Sequence, residues 1–587
     1  MELNERKLTN IDSEKNGNAE KSTGALNVLK SPNYNSINSD SRIDLLNKDG
    51  EEEEERSQNF YERNSNSITK SVILLILLAY FIWATYHQVF ILKINIDTTF
   101  CSGYGFLIVL YGLLAFGLSY NYLLGPSLMP HIYENLWTPL VNGCQNSKYS
   151  LSVFYIAFFG GFTTFLIIDT EDDRYRLVSL LGLAVFLLFG YVICPFKSQI
   201  NWKTIINGMV LQFSLALLII KFKPGEELFN CLGNKVTTFL GYAVEGAAFV
   251  YGDDLVYKQG VFAFKSLCTI YFLGFCINIL YYYGWMQTFV STLGKFFKFW
   301  LGTSICESVN SAANIFLGMT EAPLLLKPFL QRLTDSELHN IMTCGFATTS
   351  GTVLAAYISF GANAATLITA SVMSAPSALV FSNLMYPETE TPEITQENVH
   401  LTEMPYASVL DAAITGSSDA VKMVLGIIAG IIACLSFVYF LNGILAWMGS
   451  LVGYTSPEDE WSLTLFVGDM FVPIAFLMGV PWQDCKQVGE LIALKTTVNE
   501  FVAFQRMGTM HLLPKSKTIA TFAICGFANP GSVGIMISGL SALVPEKRPV
   551  ITRLVFRAAA GGAVVCFMTA CIAGLVIPTD IPPQIIT

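Results

Sequence analysis

The sequence predicts an all-α polytopic membrane protein with about eleven transmembrane helices plus two re-entrant hairpins. Three observations predict it. The 587 residues are 52% hydrophobic and only 14% charged, whereas soluble domains carry about 25% charge. Uncharged runs of bilayer-spanning length, roughly 20 residues, recur at 71–92, 104–125, 150–168, 177–196, 204–220, 266–292, 340–360, 364–385, 423–447, 518–545 and 558–579. Two further apolar stretches, 299–330 and 483–513, are broken by polar residues and hold no uninterrupted crossing.

Taken in order, residues 1–67 are rich in Asn, Ser, Glu and Lys, include five glutamates at 51–55, and bury too little apolar surface to fold. They are expected to form a disordered cytoplasmic tail, and they hold half of the net charge of −10, which therefore says little about partners. No apolar core precedes Ser71, so no cleavable signal peptide is expected. Eleven spans then leave the C-terminus outside. Residues 68–200 hold four spans with no internal Asp, Glu, Lys or Arg and read as N-terminal scaffold helices. Residues 201–298 read as scaffold plus an interfacial helix at 227–260, where Glu227, Glu245, Asp253 and Asp254 make the chain too polar to span.

Residues 299–361 contain the first hairpin and a broken helix. Glu307, Asn310, Asn314, Gly318, Glu321 and Pro323 interrupt the apolar run and place a tip near 318–323. Residues 362–481 hold scaffold helices and linkers, including a polar loop within 386–422; the piece 462–482, with Gly468, Asp469, Pro473 and Pro481, has no clear placement. Residues 482–545 repeat the hairpin and broken helix, with Glu490, Lys495, Asn499, Glu500 and Arg506 and a tip near Asn499. Residues 546–587 supply the last helix and a short C-terminus. Irregular backbone at membrane depth is tolerated only against protein or a water-filled cavity, so both hairpins point to a site.

The two hairpin segments resemble one another. Glu321 is followed by Cys344-Gly345-Phe346-Ala347, and Glu500 by Cys525-Gly526-Phe527-Ala528; the glutamates lie 179 positions apart and the four-residue runs 181. Acids beside Gly/Pro-broken helices in two corresponding halves mark secondary transporters with internal repeats. A carboxylate at membrane depth is costly and is read first as functional. Residues 345–352 carry two glycines and four hydroxyls, which favour local unwinding. Freed carbonyls, the hydroxyls and Asn314 would make an oxygen cage suited to Na⁺; the bland alternative is that the hydroxyls bond to their own helix. Asn529-Pro530-Gly531-Ser532 cannot continue a regular helix, because proline lacks an N–H and clashes with the preceding turn. Glu321, Glu500, Asn529, Ser532, Thr320 and Asn314 together offer donors and acceptors for a polyhydroxylated solute.

Other chemistries lack their residues. The thirteen cysteines have no C-x-x-C spacing, and Cys344 and Cys525 read as small packing residues. The five histidines, at 87, 131, 339, 400 and 511, form no H-E-x-x-H motif, which weighs against an intramembrane hydrolase. A channel would need a continuous lined pore, whereas the polar groups cluster at two modules. No enzyme, cofactor or nucleic-acid partner is expected.

Six segments carry a family resemblance: Gly302-Thr303-Ser304 with Glu307-Ser308; Ala313-Asn314-Ile315-Phe316; Gly318-Met319-Thr320-Glu321-Ala322-Pro323-Leu324; Ala370-Ser371-Val372-Met373-Ser374-Ala375-Pro376; Lys495-x₃-Asn499-Glu500-Phe501-Val502-Ala503-Phe504; and Gly526-Phe527-Ala528-Asn529. Together they resemble the concentrative nucleoside transporters over residues 175–580. The resemblance implies inverted repeats, a homotrimer in the plasma membrane, scaffold and transport domains in each protomer, and inward movement of Na⁺ with a nucleoside. It implies that Met319, Thr320 and Glu321 contact the base from the first tip, that Val353 and Phe527 pack against it, and that Glu500, Asn529 and Ser532 hold the ribose. It maps Na⁺ to the side chains of Asn314 and Thr348 and the carbonyls of Leu317 and Thr349. Two departures are present. Ala493 replaces the family's usual glycine, and Met319 stands where many members have glutamine. Gly318-Met319 with Thr352-Val353 resembles the purine-preferring animal members. The expected function is therefore Na⁺-coupled uptake of guanosine, inosine, adenosine and some uridine. A proton-coupled or broadly selective nucleoside transporter is the alternative.

Overall fold

The computed structural model describes residues 69, 71–91, 100–119, 150–394, 406–454 and 461–578. The expected disordered tail lies outside them. The described chain is helical, with no strand among the described residues, and divides into two units, Met1–Leu124 and Gly125–Thr587. The first unit contains α1 (Ser71–Val89) and α2 (Gly103–Ser119). Tyr111 donates its hydroxyl to the Leu77 carbonyl at 2.7 Å, and its ring lies 4.6 Å from that of Phe81.

The second unit runs through α3 (Ser150–Asp169), α4 (Val178–Ile193), α5 (Trp202–Ala216), α6 (Lys223–Tyr251), α7 (Cys268–Tyr282) and α8 (Trp285–Leu301). The first hairpin follows: α9 (Ile305–Ala313), a turn, and the short 3₁₀ segments Ala322–Leu326 and Leu330–Arg332. Next come α10 (Asp335–Ala347), α11 (Gly351–Ser359), α12 (Ala364–Met385), α13 (Val409–Leu451) and α14 (Leu463–Leu477). The second hairpin is α15 (Trp482–Thr497) and α16 (Glu500–Thr509), and α17 (Pro514–Ile524), α18 (Pro530–Leu543) and α19 (Arg548–Val576) complete the unit. Eight helices or helix pairs among the described residues are long and apolar enough to cross a membrane, and four shorter apolar helices accompany them.

The broken helices fall where the sequence places them. Between α10 and α11, Thr348 and Ser350 are extended, and the Ser350 hydroxyl accepts the Thr352 N–H to start α11. Between α17 and α18, Asn529 is extended and accepts the Ser532 N–H, with Pro530 at the first helical position. Every non-proline helix start exposes N–H groups that need acceptors. In the hairpin modules those acceptors are Ser304 for α9, Thr334 for α10 and Asn499 for α16. In the first two, Glu307 and Glu337 return the bond to the cap backbone, closing two capping boxes.

Two expected spans are differently built. The run 266–292 is not one helix: Tyr283 closes α7, Gly284 adopts φ 70°, and α8 starts afresh. Positive φ is open to glycine at little cost, so an uncharged run still breaks there. The run 423–447 is only the middle of α13, a 43-residue helix that no proline interrupts. At 1.5 Å per residue it is about 65 Å long, well beyond a bilayer's apolar core. The stretch 462–482 is resolved as α14, packed against α15.

Packing places α19 at the centre. Its C-terminal half is buried almost throughout, against α4, α10, α12 and α17. α7 and α13 form a separate close pair, meeting at Gly274 and Gly416, where an added Cβ would sit 2.6 and 2.2 Å from the opposing carbonyl. Small residues at such a crossing let backbones approach.

Candidate functional site

The two repeats meet at their four-residue motifs. The Thr349 hydroxyl donates to the Cys525 carbonyl at 3.0 Å, so the break in the first helix is bonded to the helix of the second. Gly526 makes this approach possible, since a Cβ there would lie 2.5 Å from Cys566 Sγ and 2.6 Å from the Phe346 carbonyl oxygen. The first hairpin tip is tied to the same region: the Gly351 N–H donates to the Phe316 carbonyl at 3.0 Å. Met319 rests against Gly345, where a Cβ would come within 2.8 Å of the methionine's own Cβ. The second hairpin is held at its base by the Arg506–Glu490 ion pair, 3.0 Å.

These contacts leave a cavity of about 640 Å³. Met319, Thr320, Glu321, Val353, Glu500, Phe527, Asn529 and Ser532 all line it, so the eight residues singled out in the sequence for a solute converge. Glu500 is 2% exposed, and its carboxylate accepts from Asn529 Nδ2 at 2.7 Å and from the Tyr357 hydroxyl at 3.3 Å. A carboxylate has about four lone-pair sites, so acceptor capacity remains for ligand hydroxyls. Glu321 accepts the Gly318 N–H at 3.1 Å, which folds the tip around its own carboxylate. The facing wall comes from α7 and α13 and is mostly apolar, with Ile277, Gly416, Ala420 and Met423, though Asn278, Tyr281, Asp419 and Lys422 also line it.

Asn314, Leu317, Thr348 and Thr349 are buried behind the tip rather than lining the cavity. Asn314 donates its Nδ2 to the Asn310 carbonyl at 2.9 Å, while its Oδ1 has no hydrogen-bond partner; the Oδ1 of Asn310, one turn earlier, has none either. Buried acceptors without donors are costly, and a small hard cation satisfies them with no donor proton. The Thr348 hydroxyl donates to the Cys344 carbonyl at 2.8 Å, the local bond of the bland alternative, yet its oxygen still has lone pairs to offer. The Thr349 carbonyl accepts from Ser371 at 3.5 Å. The neutral oxygens here suit Na⁺.

Sequence reasoning missed Tyr357. Tyr357 reaches Glu500 because its ring stacks on Phe504, 4.5 Å away, bringing α11 against α16. Nothing in the local pattern around Tyr357 signals that long-range contact. Asn499 was legible as a tip residue, but its work is to cap α16 through the Val502 N–H.

Comparison with known proteins agrees with this architecture. Residues 181–254 and 366–574 match the profiles for the N-terminus and C-terminus of the Na⁺ dependent nucleoside transporters, and 263–364 match a profile described as nucleoside recognition. The chain is 40% identical over 435 residues to the rat sodium/nucleoside cotransporter 2, covering 71% of this chain and 65% of that one. Against the human solute carrier family 28 member 3 it is 41% identical, covering 71% and 62%. Against the pig sodium/nucleoside cotransporter 1 it is 37% identical over 490 residues, covering 80% and 74%. The chain thus spans just under two thirds of the length of the rat and human relatives. Among solved structures, CNTnw in an inward-facing substrate-bound state aligns with TM-score 0.64 at 32% identity, covering 69% of this chain and 98% of that one. A CNTnw variant in an outward-facing state aligns with TM-score 0.65 at 33% identity, covering 68% and 98%. On motifs, fold and shared sequence, this chain belongs to the Na⁺-dependent nucleoside transporter family.

Proposed function

We propose that this protein takes up nucleosides across the plasma membrane together with Na⁺, with a preference for purine nucleosides. The carrying observation is the convergence of eight residues from two sequence repeats on one cavity. In this reading Met319, Thr320 and Glu321 meet the base, Val353 and Phe527 pack on it, and Glu500, Asn529 and Ser532 hold the ribose. Na⁺ sits among Asn314, Leu317, Thr348 and Thr349. Residues 299–361 and 482–545 move as modules against the α7–α13 pair in an elevator-like alternating access. The working form is a homotrimer in the bilayer with its N-terminus in the cytoplasm.

Energetics allow the coupling. A tenfold Na⁺ gradient supplies about 1.4 kcal/mol, and 100 mV adds about 2.3 kcal/mol per charge. One Na⁺ per nucleoside therefore sustains an accumulation of roughly several hundredfold.

The test is uptake of labelled guanosine by expressing cells, with Na⁺ replaced by choline, under competition from unlabelled nucleosides. Uptake should fall to background without Na⁺; uptake that persists in choline but stops with a protonophore would make H⁺ the coupling ion. Guanosine, inosine and adenosine should compete better than cytidine and thymidine, with uridine between. Met319 offers a thioether in place of an amide, leaving a pyrimidine's polar edge underpaired at a cost of roughly 1–3 kcal/mol, or about 5- to 150-fold. The larger purine face packs on the same thioether. Met319→Gln should narrow the gap, whereas equal competition by cytidine and guanosine in the unaltered protein would refute the preference alone.

Thr348→Ala should raise the Na⁺ concentration for half-maximal uptake about 5-fold, the equivalent of one lost polar contact, with a smaller effect on guanosine recognition. An unchanged Na⁺ dependence would assign the hydroxyl to its bond with Cys344.

A further inference from the structure

We propose that the Lys495 ammonium is a built-in cation of the second repeat, serving Glu500 as the mobile Na⁺ serves the first repeat. The inference rests on the Na⁺-coupled reading above. Lys495 is fully buried two residues before the end of α15, and its Nζ has no hydrogen-bond partner. The Nζ lies over the Phe567 ring, 5.8 Å from its centroid. A lone buried charge is costly unless something nearby balances it. The groups that feel its charge include the Glu500 carboxylate, across the hairpin break and beyond ion-pair distance, and the thiols of Cys525 and Cys566. Only the first is an acid that normally carries charge near neutral pH.

The two repeats differ at this position in a complementary way. In the first, the arm α9 ends at Asn314, whose Oδ1 is a buried acceptor without a donor, and Glu321 follows seven residues later. In the second, the arm α15 carries Lys495, and Glu500 follows five residues later. One arm brings an unsatisfied oxygen behind its acidic tip, and the other brings an unsatisfied cation. Each carboxylate thereby has one positive partner, exchangeable for Glu321 and tethered for Glu500. The loaded site balances two carboxylates against Na⁺ and Lys495, and the site without Na⁺ keeps one net negative charge. A tethered cation also needs no second ion to fill the second repeat on each cycle.

The experiment uses the full chain, purified into lipid nanodiscs, with labelled guanosine binding titrated against NaCl at constant ionic strength in choline chloride. Binding linkage makes the slope of log affinity against log Na⁺ concentration report the number of Na⁺ ions taken up with guanosine. Lys495→Met should raise that slope by one below saturation, so each tenfold dilution of Na⁺ weakens guanosine binding about tenfold more than in the unaltered protein. Lys495→Arg, which keeps the charge, should restore the original slope. If Lys495→Met fails to bind or to stay monodisperse at low salt, about 0.5 M Na⁺ should rescue it by mass action. An unchanged slope in Lys495→Met overturns the proposal, and so does failure of high Na⁺ to rescue it. A flat Na⁺ dependence in the unaltered protein removes instead the coupling on which the proposal rests.

Discussion

Glu500→Gln should lower Na⁺-driven guanosine uptake about 100-fold while leaving surface expression and assembly near normal. Both carboxylate oxygens already accept: one from Asn529 Nδ2 at 2.7 Å, the other from the Tyr357 hydroxyl at 3.3 Å. A glutamine can accept from Asn529 on its amide oxygen and donate its N–H₂ to the Tyr357 hydroxyl oxygen, but the negative charge and the charge-assisted strength of both bonds are lost. Hydrogen bonds to charged groups contribute about 1.5–3 kcal/mol each, and the substitution weakens contacts to both protein and ligand. The fold should survive because Glu500 borders a cavity rather than filling a packed core. Glu321→Gln should act in the same direction. Its bond from the Gly318 N–H can be kept by the amide oxygen, so the tip turn remains while the charge goes. Uptake per molecule at the cell surface measures both variants, and uptake within about twofold of normal in either one would remove that carboxylate from the site.

Gly526→Val should do the opposite, abolishing the assembled protein rather than its selectivity. A Cβ at 526 would stand 2.5 Å from Cys566 Sγ and 2.6 Å from the Phe346 carbonyl oxygen, with the Ala347 carbonyl at 3.3 Å. Backbone carbonyls cannot step aside, and overpacking typically costs about 1–3 kcal/mol even where neighbours can adjust. The loss falls where the two repeats cross, so both broken helices would be displaced together. Gly534→Ala, in α18, is the matched control, because nothing lies within 4 Å of its added Cβ. Monodisperse yield and thermal melting of the two variants separate the cases. A normally melting Gly526→Val protein would mean that the crossing of the repeats is looser than described.

The contrast between these variants follows what was legible in the sequence. Breaks at 348–352 and 529–532 were readable because Thr, Ser, Gly and Pro act locally on the backbone. The hairpins were readable because carboxylates and asparagines cannot lie at membrane depth without a cavity. The roles of Met319, Val353 and Phe527 came from resemblance, since apolar residues carry no local mark of a binding site. Tyr357 was invisible for a different reason: its bond to Glu500 depends on the stacking of α11 on α16, a contact between residues 143 positions apart. The end of α7 at Gly284 and the uninterrupted length of α13 also escaped hydropathy, which measures burial and not helix continuity. Gly526 was visible as part of a repeated motif, but only the fold shows that its missing side chain makes room for the other repeat.

Coupled movement of the two solutes is the central claim, and simultaneous flux of labelled Na⁺ and labelled guanosine into proteoliposomes tests it most directly. With an inward Na⁺ gradient, guanosine should accumulate above its external concentration, each molecule accompanied by a fixed number of Na⁺ ions. Both fluxes should collapse together when an ionophore dissipates the gradient. Guanosine that merely equilibrates, at a rate indifferent to Na⁺ and with no accompanying Na⁺ entry, would contradict the account.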